Sequence, residues 1–297
     1  MVAGTRPAWV DDRLFPFESR FVDVGGNTVH YVDEGSGPTL LFLHGNPTWS
    51  FLWRDTIRAL SGDFRCIALD FPGFGLSTPR PGYRYLPEEH ADVLAGFADA
   101  LGLEGATLIG QDWGGPIGLA TALRRPALAK RLVLANTWAW PVNGDLYYEA
   151  FSRIGGNAPM QFLVRRINLL VNTFIPTGHR KRRPTADEMT HYRRALDTPE
   201  RRQASAVLPG RILASRKFFE DIETGLPTLA QLPTLIVWGD ADIAFRTQER
   251  ERLETALPRH ETVIVHGAST YVESDAPEEF IGAIRAWHPQ TAARGGR

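Results

Sequence analysis

The stretch ATLIGQDWGGPIGLATAL, residues 106–123, decides the fold. An apolar run of strand length ends in Gly110-Gln111-Asp112-Trp113-Gly114-Gly115, and a segment with helical spacing begins at once. The small residues around Asp112 permit a sharp strand-to-helix turn from which its side chain projects at the carboxyl edge of a sheet. Taken alone, an aspartate ahead of a helix reads first as an N-cap. Its surroundings reverse that reading.

Outward from this turn the chain alternates. Apolar runs TLLFLHG (39–45), FRCIALD (64–70), ATLIGQD (106–112), KRLVLAN (130–136), TLIVWGD (234–240) and TVIVHG (262–267) are mostly separated by helix-like stretches such as SFLWRDTIRAL, PEEHADVLAGFADAL, TQERERLETAL and PEEFIGAIRAW. Continuous apolar runs suit a mostly parallel sheet flanked by helices on both faces. RFVDVGG and TVHYVDEG, joined at Gly25-Gly26-Asn27, predict an antiparallel hairpin ahead of it. The strand rhythm stops between about Trp140 and Pro227. We therefore expect an α/β core of residues 1–139 and 228–297, with 140–227 inserted as a helical cap. The aromatics scattered there, Tyr147, Tyr148, Phe151, Phe162, Phe174 and Phe218, are expected to pack the cap itself.

Composition narrows the partners. The 297 residues, 43 % hydrophobic and 23 % charged, suit a globular chain with one large core. A formal net charge of −1 gives no general attraction for nucleic acid or anionic lipid, and HRKRRP at 179–184 reads as a solvated loop. The single cysteine, Cys66, excludes an internal disulfide or a cysteine-rich zinc site and is expected as buried packing. With no leader pattern and no apolar segment of about eighteen residues, a cytoplasmic protein without a membrane span is expected. TAARGGR at 291–297 reads as a frayed tail.

Three further pieces surround the Asp112 turn, a Gly-x-Asp-x-Gly where many hydrolases carry Gly-x-Ser-x-Gly. In LFLHGNPTW a strand ends at His44-Gly45-Asn46-Pro47, again at the carboxyl edge where open α/β sheets bind ligands. Backbone N–H groups of Asn46 and Trp113 would face developing negative charge, and their carboxamide and indole add side-chain donors suited to a leaving anion. In IVWGDADIAF a strand ends at Asp240 and Asp242, either of which serves equally as an acid partner or a turn cap. Chain order then asks for a histidine after the last strand, in VIVHGASTYVESDAPEEF (263–280). His266 there falls inside the apolar run and is assigned to a strand, whereas the loop tip holds Ser269 and Thr270.

From PFESRF through HYVDEG, HGNPTW, GQDWGG and ESDAPEE, the chain resembles the haloalkane dehalogenases, most closely their third subgroup. The resemblance implies an α/β-hydrolase fold, Asp112 as nucleophile, Asp242 as acid partner, and Asn46 with Trp113 holding the halide. In the family's C-terminal motif the catalytic histidine precedes a proline by seven positions. Counting back from Pro277 lands on Thr270. The resemblance also implies a covalent alkyl-aspartate ester, no cofactor and no metal, and a small apolar halogenated substrate that yields a halide ion. With threonine in place of the base, ester formation is expected and its hydrolysis impaired. Two explanations for Thr270 stand, a substitution made to trap the alkyl-enzyme and a natural protein without the base, and the first fits better a chain in which every other functional part is intact. A β-lactone decarboxylase of the same subgroup, an epoxide hydrolase using paired tyrosines from among Tyr147, Tyr148 and Tyr192, and a non-catalytic binder of small apolar ligands are the alternatives.

Overall fold

Strands form where the apolar runs lie, and their burial follows from their place in the sheet. The computed structural model describes residues 4–289; the expected tail at 291–297 lies outside the described residues. β1 (Arg20–Val24), β2 (Asn27–Glu34), β3 (Thr39–Leu43), β4 (Arg65–Leu69), β5 (Ala106–Gln111), β6 (Ala129–Ala135), β7 (Thr234–Gly239) and β8 (His260–Val265) make one sheet in the order β1-β2-β4-β3-β5-β6-β7-β8. β1 and β2 form the antiparallel hairpin, and β2 meets β4 antiparallel. From β4 to β8 every pairing is parallel. Every residue of β5 and β7 is buried, as strands covered on both faces require, while the edge strand β8 is largely uncovered.

The helices fill the crossovers. α1 (Arg54–Leu60), α2 (Pro87–Ala100) and α3 (Gly114–Arg124) precede β6, while α10 (Thr247–Ala256), α11 (Val272–Asp275) and α12 (Pro277–Trp287) follow β7. α1 packs against α12 and α2 against α3. Between β6 and β7 come α4 (Leu146–Gly155), α5 (Ala158–Ile167), α6 (Leu169–Thr177), α7 (Ala186–Ala195), α8 (Gln203–Ala214) and α9 (Arg216–Leu229). Side chains such as Leu41, Phe42, Ile67, Ile109 and Val237 are fully buried in one continuous core, each contributing about 1.5–3 kcal/mol of transfer free energy. Cys66 belongs to it, and burial pushes its thiol up to about 12, which keeps it protonated and unreactive. No helix among the described residues is long and apolar enough to cross a membrane.

One expectation is corrected here. HRKRRP is not simply a solvated loop: the backbone N–H groups of Arg180, Lys181 and Arg182 all donate to the buried Asp275 carboxylate, and His179 is buried. The side chains of Arg180, Lys181 and Arg183 remain exposed. The sequence pattern registers the charged side chains, whereas an anchor nearly a hundred residues further along the chain holds the backbone.

Candidate active site

Sheet order places the first two pieces together. After β3 the chain crosses to β4 on one side, and after β5 it crosses to β6 on the other. The loops leaving the adjacent strands β3 and β5 therefore diverge and open a crevice at their carboxyl ends. Asn46 leaves β3 there, and Asp112 and Trp113 leave β5. Glycines make the approach possible. A Cβ on Gly45 would lie 2.2 Å from Asp112 Oδ1, one on Gly114 2.0 Å from the Leu43 carbonyl, and one on Gly115 2.0 Å from Thr137 Oγ1. Asp112 itself has φ of 50°, the left-handed region that a sharp strand-to-helix turn demands of its central residue.

The Asp112 carboxylate faces a cavity of about 330 Å³. Its Oδ1 accepts the Asn46 backbone N–H at 2.7 Å, and the Trp113 backbone N–H also favours its charged form. Burial outweighs both and, with a smaller push from the Asp242 charge, raises the carboxyl to about 7. The residue is only partly covered because it looks into the cavity. Near pH 7 it is thus divided between its two forms, and not fully ionised as an ordinary aspartate would be. The Asn46 and Trp113 side chains line the same cavity.

Away from this polar end the lining is apolar, with Trp138, Phe151, Phe174, Ile212, Phe245 and Tyr271. Tyr147 and Tyr148 also reach it, so four of the aromatics expected to pack the cap itself face the cavity instead. Helical spacing identifies an apolar face but not whether protein or empty space lies opposite. Of the other two, Phe218 is buried in the core and Phe162 is 58 % exposed. The hydroxyls of Tyr147 and Tyr148 donate to the carbonyls of Ile243 and Ala244 at 2.8 and 2.9 Å. Tyr192 is buried, and it is absent from the lining.

Two further residues complete the site. Thr270 Oγ1 lines the cavity and donates to Asp242 Oδ1 at 2.7 Å. Asp242 also accepts the Ala244 N–H at 2.7 Å and, on Oδ2, the Asn136 carboxamide at 2.8 Å. Its burial still raises it above the usual carboxylate range. Asn136 was missed from the sequence. It follows β6 directly with φ of 36°, its side chain accepts the Gly239 N–H at 2.9 Å, and its carbonyl takes the Asp112 N–H at 3.1 Å, linking two loops. Its signal was available: a polar residue at the carboxyl end of the strand beside β5. Gln111 likewise holds the Thr270 carbonyl through Nε2 at 3.1 Å. Glu273 is fully buried, and burial drives its carboxyl well above the usual carboxylate range.

The structure also separates the two aspartates after β7. Asp240 accepts from His266 Nδ1 at 2.7 Å and from the Gly267 N–H at 2.7 Å, on the exposed side of the loop. The hydrogen bond from His266 holds Asp240 below the usual carboxylate range. β8 ends at Val265, so His266 lies just past the strand to which its apolar neighbours assigned it. Its side chain is 84 % exposed and absent from the cavity lining. No imidazole among the described residues lines the cavity.

A sheet with diverging crossovers, a sharp strand-to-helix turn with its central residue at positive φ, and two N–H donors aimed at that residue's side chain define an α/β-hydrolase. The family model described as the alpha/beta hydrolase fold matches residues 38–271. Haloalkane dehalogenase 2 of Mycobacterium tuberculosis is 43 % identical over 276 residues, covering 92 % of this chain and 96 % of that one. Cis-3-alkyl-4-alkyloxetan-2-one decarboxylase of Shewanella oneidensis is 31 % identical over 293 residues, covering 94 % and 91 %. The crystal structure of an ancestral haloalkane dehalogenase superposes with a TM-score of 0.83 at 28 % identity, covering 92 % of this chain and 99 % of that one. The chain belongs to the haloalkane dehalogenase family of α/β-hydrolases.

Proposed function

We propose that the protein attacks haloalkanes through Asp112 and retains the product as an alkyl ester. The observation that carries this reading is the Asp112 carboxylate at the polar end of an otherwise apolar cavity, with Asn46 and Trp113 beside it. Oδ1 is held by the Asn46 N–H, which leaves Oδ2 to attack the halogen-bearing sp3 carbon in line. The C–O bond forms as the carbon–halogen bond breaks, and the halide leaves towards the carboxamide and the indole. Donors of this kind count for more in a water-poor pocket than in bulk water. Neither this step nor the next needs a cofactor.

Hydrolysis of the ester requires water to add to its carbonyl carbon while a base takes the proton. The backbone N–H groups of Asn46 and Trp113, which favour the charged carboxylate, would donate to the resulting oxyanion. Thr270 supplies no base near neutral pH, and its proton is already committed to Asp242. His266 is turned away and bound to Asp240. The second step should therefore lose at least the roughly 10²- to 10⁴-fold that a general base contributes. Segment 140–227 acts as a cap over a core of 1–139 and 228–297, a division supported by side chains of α4, α6 and α8 in the cavity lining.

The 31 % identity to the oxetanone decarboxylase favours a second reading, attack of the same carboxylate on a β-lactone. The tyrosine hydroxyls that an epoxide hydrolase would need are spent on the Ile243 and Ala244 carbonyls or buried away from the cavity. Incubation with a bromoalkane tests the first reading. One bromide per chain, with the added mass on the peptide holding Asp112, is the expected result. Intact bromoalkane recovered with no bromide would leave a binding protein, and alkene from a β-lactone alone would leave the decarboxylase.

A further inference from the structure

Helix α8 is opened from within. Pro209 stands in its interior. Lacking an N–H, it cannot give the Ser205 carbonyl the donor that a regular helix supplies four residues on. That carbonyl accepts Nδ2 of Asn46 instead, at 3.3 Å. One turn further a side chain from α4 joins the ladder. The Ser152 hydroxyl, from α4, donates to the Pro209 carbonyl at 2.8 Å and accepts the Leu213 N–H at 3.3 Å, two groups that a regular helix would bond directly. Glycines let α4 come this close: a Cβ on Gly155 would lie 2.8 Å from Pro209 Cβ, and one on Gly156 2.6 Å from Gly210 Cα.

We propose that Pro209 is a positioning residue for the anion-binding end of the cavity, acting through the Ser205 carbonyl on the Asn46 carboxamide. A carboxamide has two faces of similar shape and opposite polarity, and only the Nδ2 face attracts a halide. The Ser205 carbonyl can only accept. A flipped Asn46 would set two acceptors against each other, so the freed carbonyl selects the orientation with Nδ2 presented and one of its hydrogens left for an anion. Oδ1 of the same amide is buried and accepts nothing among the described residues, as expected if the direction of the amide is set by its nitrogen. The inserted helices thereby tune the donor that leaves β3.

This inference rests on the reading of Asn46 as a halide donor, and the test separates the two. Bromide affinity is measured by quenching of indole fluorescence in the whole protein and in Pro209→Val, Pro209→Ala, Asn46→Ala and the Asn46→Ala/Pro209→Val double variant. Valine approximates the ring's volume while restoring the N–H, and alanine restores it with the best helix former, which keeps a folded variant available. Both should weaken bromide binding roughly 2- to 10-fold, as for one net hydrogen bond, and slow single-turnover bromide release to match. In the Asn46→Ala background the Pro209 substitution should change nothing further. Wild-type affinity in both Pro209 variants, or an undiminished penalty without Asn46, would overturn the proposal. An Asn46→Ala protein that binds bromide as tightly as wild type would instead overturn the clamp itself.

Discussion

Titration of the alkylation step examines the electrostatics of Asp112 directly. Burial raises its carboxyl to about 7 against the hydrogen bonds from Asn46 and Trp113, and in the proposed mechanism only the ionised form attacks carbon. About one-tenth is ionised at pH 6 and about nine-tenths at pH 8, so single-turnover bromide release should climb roughly tenfold between them. An aspartate at its ordinary 3.8 would give a flat profile over the same range. Stopped-flow bromide detection with excess enzyme isolates this step, and faster release from the iodoalkane confirms that bond breaking limits it. Replacing Asp242 with Asn removes one negative charge that raises Asp112, so the midpoint should move to lower pH. A rate independent of pH from 5.5 to 8.5 with chemistry limiting, or a midpoint that rises in Asp242→Asn, would refute this account of the carboxylate.

Thr270→His should restore repeated turnover, raising ester hydrolysis at least about 10²-fold with a rate that increases through the imidazole's titration; time courses of alcohol release check it. Sustained turnover by the threonine form would instead mean that the base lies elsewhere. Asp112→Asn should abolish bromide release and stabilise the fold at alkaline pH. The folded pKa lies above the unfolded one, so wild-type stability falls as pH rises from about 4 towards 7. The variant's advantage should reach up to about 4 kcal/mol at pH 8 and vanish below pH 4, as read by urea unfolding at both values.

Much of this protein was legible before folding, because the information is local. A strand buried on both faces needs a continuous apolar run, and β5 and β7 declare themselves in that way. A turn at φ of 50° between strand and helix needs small neighbours, and Gly110, Gly114 and Gly115 announce it around Asp112. The family motif, counted back from Pro277, singled out Thr270, and chain order brought Asp242 into consideration. The resemblance implied that Asp242 partners the position Thr270 holds, whereas only the tertiary structure showed the contact between them and turned His266 to Asp240. The two aspartates are two residues apart, and the direction each side chain takes depends on loops from other strands. Asn136 reaches Asp242 across 106 positions, and Asn46 reaches the Ser205 carbonyl across 159. Cavity-facing aromatics and the elevated Asp112 carboxyl belong to the same class: burial sums the positions of groups remote in the chain, and no pattern within one segment records that sum.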